Sequence, residues 1–193
     1  MMMKKLMFGL SLLVIVLLVG CGTGEAISKG GPISIDNYQS LFVKSSGLTR
    51  SSTFNGIMVV GVTSTSASNM AITDIATSFK NTIFPQDSLQ LDSDIFDYTL
   101  SNIIAVGSPC DNTVIAHLED SPVNCKMNLG QGRAFIKLKF INNHYYLLVE
   151  GLSDKDMKVA SKVLVYRTSE LKGTEIFITY TDEWTNAIIK IIK

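Results

Sequence analysis

Histidine, cysteine and tryptophan are scarce: two, three and one in 193 residues. Two histidines and three cysteines with no paired ligand spacing exclude a zinc-finger arrangement. Charge of one sign is missing too. The chain has 17 basic and 17 acidic residues, so it lacks the clustered positive face that nucleic-acid binding requires. Of the polar loops that follow apolar runs, none carries the several glycines or the Gly-Lys-Thr ending of a phosphate cradle. The Asp-rich stretch at 92–97 lacks the central Gly and distal Glu of a calcium loop.

What is present begins with "MMMKKLMFGLSLLVIVLLVGC". Lys4 and Lys5 precede an apolar run from Leu6 to Val19, the order of a secretory signal. The run is shorter than the roughly 20 residues that span a bilayer. Its end, "LVGC", resembles the lipobox of prokaryotic lipoproteins. The resemblance implies cleavage after residue 20 and lipid attachment to the sulfur of Cys21; the alternative is an ordinary cleaved signal with a chance cysteine. The expectation is an exported chain held on the outer face of the cell membrane. Without Lys4 and Lys5 the charge becomes 15 basic against 17 acidic, a net of −2.

Residues 21–53 read as a tether, because "GTGEAISKGGPISIDNYQS" and "KSSGLTRSS" offer little apolar surface to offset chain entropy. "NYQSLFV" alone within it has the composition of a short strand or a cover for a sheet. From Phe54 the pattern changes. "NGIMVVG", "SNIIAVG" and "YYLLVEG" end at Gly61, Gly107 and Gly151, spaced 46 and 44 residues apart. Runs apolar on successive residues suit strands buried on both faces, as in parallel sheets. Each is followed by a polar loop and a helix-like stretch. The first stretch puts Met70, Ile72, Ile75, Ala76 and Phe79 near one face. The last has Ser153 as its cap, Asp156 in its first turn and an apolar face including Met157, Ala160 and Leu164. "AFIKLKF" alternates and is followed by Asn142 and Asn143, a turn pair that predicts a hairpin. Residues 88–96 hold a further short strand. The predicted fold class is α/β: three layers, with a mostly parallel sheet built from three strand–Gly-loop–helix units and one hairpin. Residues 54–181 form the domain. Residues 182–193, with Trp184 and four isoleucines, form an apolar tail or a last helix.

In such sheets ligands bind beyond the carboxyl ends of the strands, so the loops after Gly61, Gly107 and Gly151 are candidate binding loops. Cys110, on one of them, is a candidate nucleophile if a base lies close. His117 lies seven residues on, along the following helix, and His144 falls at the opposite end of the sheet. Neither is well placed as that base. The competing reading pairs Cys110 with Cys125 as a structural bridge, the commoner use of two cysteines in an exported chain. Asp92 and Asp94, with Asp97, are candidates for a carboxylate pair or a surface cation site; solvated turn aspartates are the plainer reading.

Taken together, "FNGIMVVG", "AITDIATSF", "LDSDI", "NIIAVGSPCDNTVIAHL", "GRAFIKLKF", "YYLLVEGLSDKDMKVASKVL" and "LKGTEIFI" resemble, in order, the repeated domain of archaeal S-layer and S-layer-like surface proteins. The likeness covers 54–181, about 128 residues. It implies a surface protein without catalysis and a Cys110–Cys125 bridge. The short chain and its lipobox point to a small anchored protein rather than a lattice subunit. The expected role is structural or adhesive, with other envelope or surface-layer proteins as partners. The alternative is capture of a ligand or cation at the three loops. No catalytic residue, cofactor or metal is assigned.

Overall fold

The computed structural model describes residues 33–45, 51–120, 122–126 and 129–193. The proposed signal and Cys21 lie outside the described residues, as does most of the expected tether.

The three apolar runs form β3 (Ile57–Val60), β6 (Ile103–Gly107) and β8 (His144–Gly151). They lie side by side and parallel, with β6 between the other two. A short edge strand, β5 (Leu89–Leu91), pairs parallel with β3. On the other side of β8 the direction changes. β7 (Arg133–Ile141) pairs antiparallel with β8, β9 (Glu175–Thr179) antiparallel with β7, and β10 (Ile188–Ile191) antiparallel with β9. The sheet order is β10-β9-β7-β8-β6-β3-β5. A second sheet joins β1 (Val43–Ser45), β2 (Ser52–Phe54) and β4 (Thr82–Ile83).

The expected three-layer, mostly parallel sheet is therefore wrong. The main sheet is mixed, with three parallel and three antiparallel pairings. After a one-turn α1 (Tyr38–Leu41), one face carries a helical layer, α2 (Ser66–Ser78) and α4 (Asp154–Tyr166). Among the described residues, the opposite face carries the six-residue α3 (Thr113–Leu118), with Ile95 and Tyr98 packed beside it. The expected β7–β8 hairpin supplies one antiparallel pairing, and the unexpected ones are those of β9 and β10 beyond it. Asn142 and Asn143 both adopt positive φ, 50° and 65°, the pair a tight two-residue reversal requires. Once β7 runs backwards, β9 and β10 extend the sheet from its free edge in antiparallel fashion.

The larger core lies under α2 and α4, where Ile72, Ile75, Met157 and Leu164 meet Met58, Val60, Ile104 and Val149. Ser153 caps α4: its hydroxyl accepts the Asp156 N–H, while the Asp156 carboxylate accepts the Ser153 N–H. In α2, Met70 departs from the predicted face and is 64% exposed, whereas Ala71 is buried. The smaller core, under α3, holds Val59, Ile103, Ala105, Ile115 and Leu148.

Two segments flanking residues 54–181 also take definite places in the fold. Ile35, Tyr38 and Phe42, within the expected tether, are fully buried. The Ile35 N–H donates to the Gly173 carbonyl at 2.8 Å, and Phe42 stacks on Phe54. At the other end Ile188, Ile189 and Ile191 fall in β10. The expected tail or helix is a strand because β9 offers an unpaired row of N–H and C=O groups, and β-branched residues suit a strand there.

Candidate functional site

Because β3, β6 and β8 run parallel, Gly61, Gly107 and Gly151 lie at one edge of the sheet. The loops beyond them are closed by their own polar groups. A β carbon on Gly61 would sit 1.6 Å from the Asp111 carbonyl oxygen, so β3 ends against the 108–112 turn. Buried Asn112 caps α3 by accepting the N–H groups of Val114 (3.1 Å) and Ile115 (3.2 Å). Its amide donates to the Val106 carbonyl at 3.1 Å and towards that of Val59 at 3.5 Å. Asp156, also buried, ties the third loop to its surroundings. Its carboxylate accepts from the Ser153 N–H, the Gly132 N–H and the Tyr180 hydroxyl.

The aspartates read as a possible carboxylate or cation site do not act together. Asp92 is buried and accepts from the Val62 N–H (2.6 Å), the Thr113 N–H (2.8 Å) and the Thr113 hydroxyl (2.9 Å). Burial pushes its carboxyl up, but these donors, led by the Thr113 N–H, outweigh it and hold the group below the usual range. It is a clamp between two loops. Asp97 turns to the N–H and hydroxyl of Thr99. Among the described residues no group of three or more His, Cys, Asp or Glu is arranged to hold a metal ion.

Cys110 and Cys125 form a disulfide, with Cα atoms 4.9 Å apart. The sulfur of Cys110 is consumed in that bond, so it is no free nucleophile here. The His117 imidazole is engaged by the Tyr98 hydroxyl and ring. His144 begins β8, at the far end from Cys110.

Beside the disulfide turn, on the α3 side of the sheet, is a feature the sequence reading missed. A cavity of about 170 Å³ is lined by Pro109, Leu129, Phe135 and the charged side chains Glu119, Lys137, Glu150 and Glu175. Lys137 lies 2.5 Å from Glu119 and 3.2 Å from Glu150. Lys139 also pairs with Glu119, at 2.6 Å. Glu119 is thus served twice. Burial pushes its carboxyl up, but the Lys137 and Lys139 hydrogen bonds and charges bring it below its ordinary value. Glu150 is 2% exposed, and its Oε1 has no hydrogen-bond partner among the described residues. Burial raises its carboxyl to about 7, against the opposing pull of Lys137. The signal was in "YYLLVEG": a glutamate in a run otherwise fit for burial on both faces is costly unless paired or used. Likewise Phe135, Lys137 and Lys139 share the face opposite to the buried Ala134, Ile136 and Leu138.

The raised Glu150 value makes a pH prediction. The folded chain holds the proton more tightly than the unfolded chain, whose carboxyl titrates near 4.5. The favourable contribution is complete below that value and is lost as pH rises through about 7. Glutamine mimics the protonated acid at every pH. Glu150→Gln is therefore expected to be about 3 kcal/mol more stable than the parent near pH 8.5 and equal to it near pH 4. Urea unfolding at both pH values checks this; an advantage independent of pH would disprove it.

No protein-family profile matches the chain, and no curated protein matches its sequence.

Proposed function

We propose that this chain is a lipid-anchored cell-surface protein whose folded domain has a structural or adhesive role in the envelope. The reading rests on the Cys110–Cys125 disulfide. It joins two positions on the outside of the fold, Cys110 being exposed and Cys125 partly so. A bridge in that position persists in an oxidising, exported compartment. It agrees with the basic start, short apolar run and "LVGC" at the N-terminus. Anchoring through Cys21 would place the domain just outside the membrane, and two acyl chains suffice for stable attachment. The chain order shared with S-layer-like domains favours a partner among envelope or surface-layer proteins. The rival reading, capture of a ligand in the loops after Gly61, Gly107 and Gly151, meets an obstacle at the first two. A ligand there would have to displace the bonds made by Asp92 and Asn112.

The test is the intact mass of the native protein from the membrane fraction, with free thiols blocked before and after reduction. Expected are the loss of residues 1–20, an added lipid mass removed by Cys21→Ala, and two thiols that react only after reduction. An unmodified Cys21, or retention of Met1, would overturn the anchor. Alkylation of Cys110 without reductant would overturn the bridge and reopen thiol chemistry.

A further inference from the structure

The cavity beside the disulfide has an unbalanced wall. Glu150, the last residue before Gly151, sits at the closed end of β8 with its side chain on the α3 face. Lys137 on the neighbouring strand reaches its Oε2 at 3.2 Å but makes the closer contact with Glu119. Lys139 also goes to Glu119. Glu150 lines the cavity, while its Oε1 is buried without a donor among the described residues. Leaving a carboxylate oxygen unpaired away from water is costly, and a site that tolerates this is open to a group that supplies the missing donor.

The rest of the wall says what that group is. Glu175 on β9 stands across from Lys137 in the sheet register and faces the same cavity, yet no ion pair to its carboxylate forms among the described residues. Glu119, Glu150 and Glu175 stand against Lys137 and Lys139, and the adjoining Pro109 and Leu129 carry no charge. With Glu150 ionised the wall is one positive charge short. Phe135 adds an aromatic face, which already takes the Lys137 ammonium at 5.1 Å and packs against Phe177. Carboxylates beside an aromatic face suit an organic cation. A divalent metal fits poorly, because the described acidic groups do not converge as a ligand set. The volume of about 170 Å³ equals roughly five or six waters at about 30 Å³ each, enough for a head group of a few heavy atoms.

We propose that this cavity binds a small organic cation, a primary ammonium or a guanidinium, with the Glu150 carboxylate as its main acceptor and Glu175 completing the charge. The proposal does not depend on the lipid anchor. It moves ligand capture from the loops after Gly61, Gly107 and Gly151 to the sheet face behind the disulfide turn.

The test is a titration of the isotope-labelled full chain in a non-ionic detergent, near pH 8.5 where Glu150 is ionised, at constant ionic strength. Methylammonium and methylguanidinium are added to about 50 mM, well above a millimolar Kd, with sodium as the control cation. Expected are saturable amide shifts at Leu129, Lys137 and Glu150 with at least one organic cation and none with sodium. Glu150→Gln should weaken that binding about tenfold or more, the worth of a hydrogen bond to a charged group. Should Glu150→Gln fail to give a folded spectrum, Glu175→Gln takes its place with the same expected direction. Absence of a saturable shift with either cation overturns the proposal. So does equal affinity in the folded variant, or a response to sodium that matches the organic cations.

Discussion

Replacing Asp156 with alanine is expected to remove about 4–5 kcal/mol of folding stability, the largest loss from any single polar side chain discussed above. The carboxylate is fully buried. It accepts from the Gly132 N–H at 3.0 Å, the Tyr180 hydroxyl at 2.6 Å, and the Ser153 N–H and hydroxyl at 2.8 and 2.6 Å. One side chain thus joins the start of α4, the turn before β7 and the residue after β9. Hydrogen bonds to a charged group contribute about 1.5–3 kcal/mol each, and donors left buried without an acceptor carry their full desolvation cost. The losses share one group and do not add in full. At about 2–4 °C per kcal/mol for a domain of this size, the melting temperature should fall by about 10–15 °C. Tyr180 stays a donor throughout: burial first, then the bond to Asp156, push its ionisation well above the ordinary phenol value. Urea and thermal unfolding provide the measurement. Hydrogen exchange should also show faster loss of protection at Gly132 and Ser153 than at the β6 amides. A loss below about 1 kcal/mol would mean that the capping role is not carried by this carboxylate.

Gly61→Ala is expected to cost about 3–5 kcal/mol for a different reason. No hydrogen bond of a side chain is lost. The added methyl carbon would lie 1.6 Å from the Asp111 carbonyl oxygen and 2.6 Å from its carbon. Both are backbone atoms and cannot rotate away as a flexible side chain could. The end of β3 and the 108–112 turn must separate. Separation strains the Asn112 bond to Val106 and the Asp92 clamp, which reaches from the Val62 N–H to Thr113. Gly130→Ala is the control. A β carbon there meets nothing nearer than the Arg133 Cδ at 3.9 Å, and the change should stay within about 0.5 kcal/mol. Equal unfolding midpoints for the two variants would refute the close approach at Gly61.

These two positions stood differently in the sequence. Ser153 and Asp156 were legible as a helix start because a capping pair is a relation between residues three apart. That the same aspartate also holds Gly132 and Tyr180 was not, since those partners arrive from 24 residues away on either side. Gly61 was legible as the end of an apolar run. The neighbour that makes it indispensable, Asp111, is brought there only by the parallel pairing of β3 with β6. Glu150 is the sharpest case. Its letter stood in plain view at the end of "YYLLVEG", but its properties depend on burial, on Lys137 preferring Glu119, and on the cavity left beside Phe135. Those are facts about dielectric and distance.

The positions of the parallel strands, the Asn142–Asn143 reversal, the cap of α4 and the two cysteines available to each other follow from local sequence. Each depends on apolar periodicity, backbone preference or spacing along the chain. The hairpin already implied one antiparallel pair, but folding in three dimensions settled that half of the pairings in the main sheet are antiparallel, that the 188–191 segment is a strand, and that Ile35, Tyr38 and Phe42 belong to the core. An apolar run does not record the direction of the strand beside it, and an edge with free N–H and C=O groups recruits whatever chain can reach it. The polar assignments divided in the same way. Asp92 became a clamp and Glu150 an unpaired acid because the surrounding donors, not the residue type, set what a buried carboxylate does.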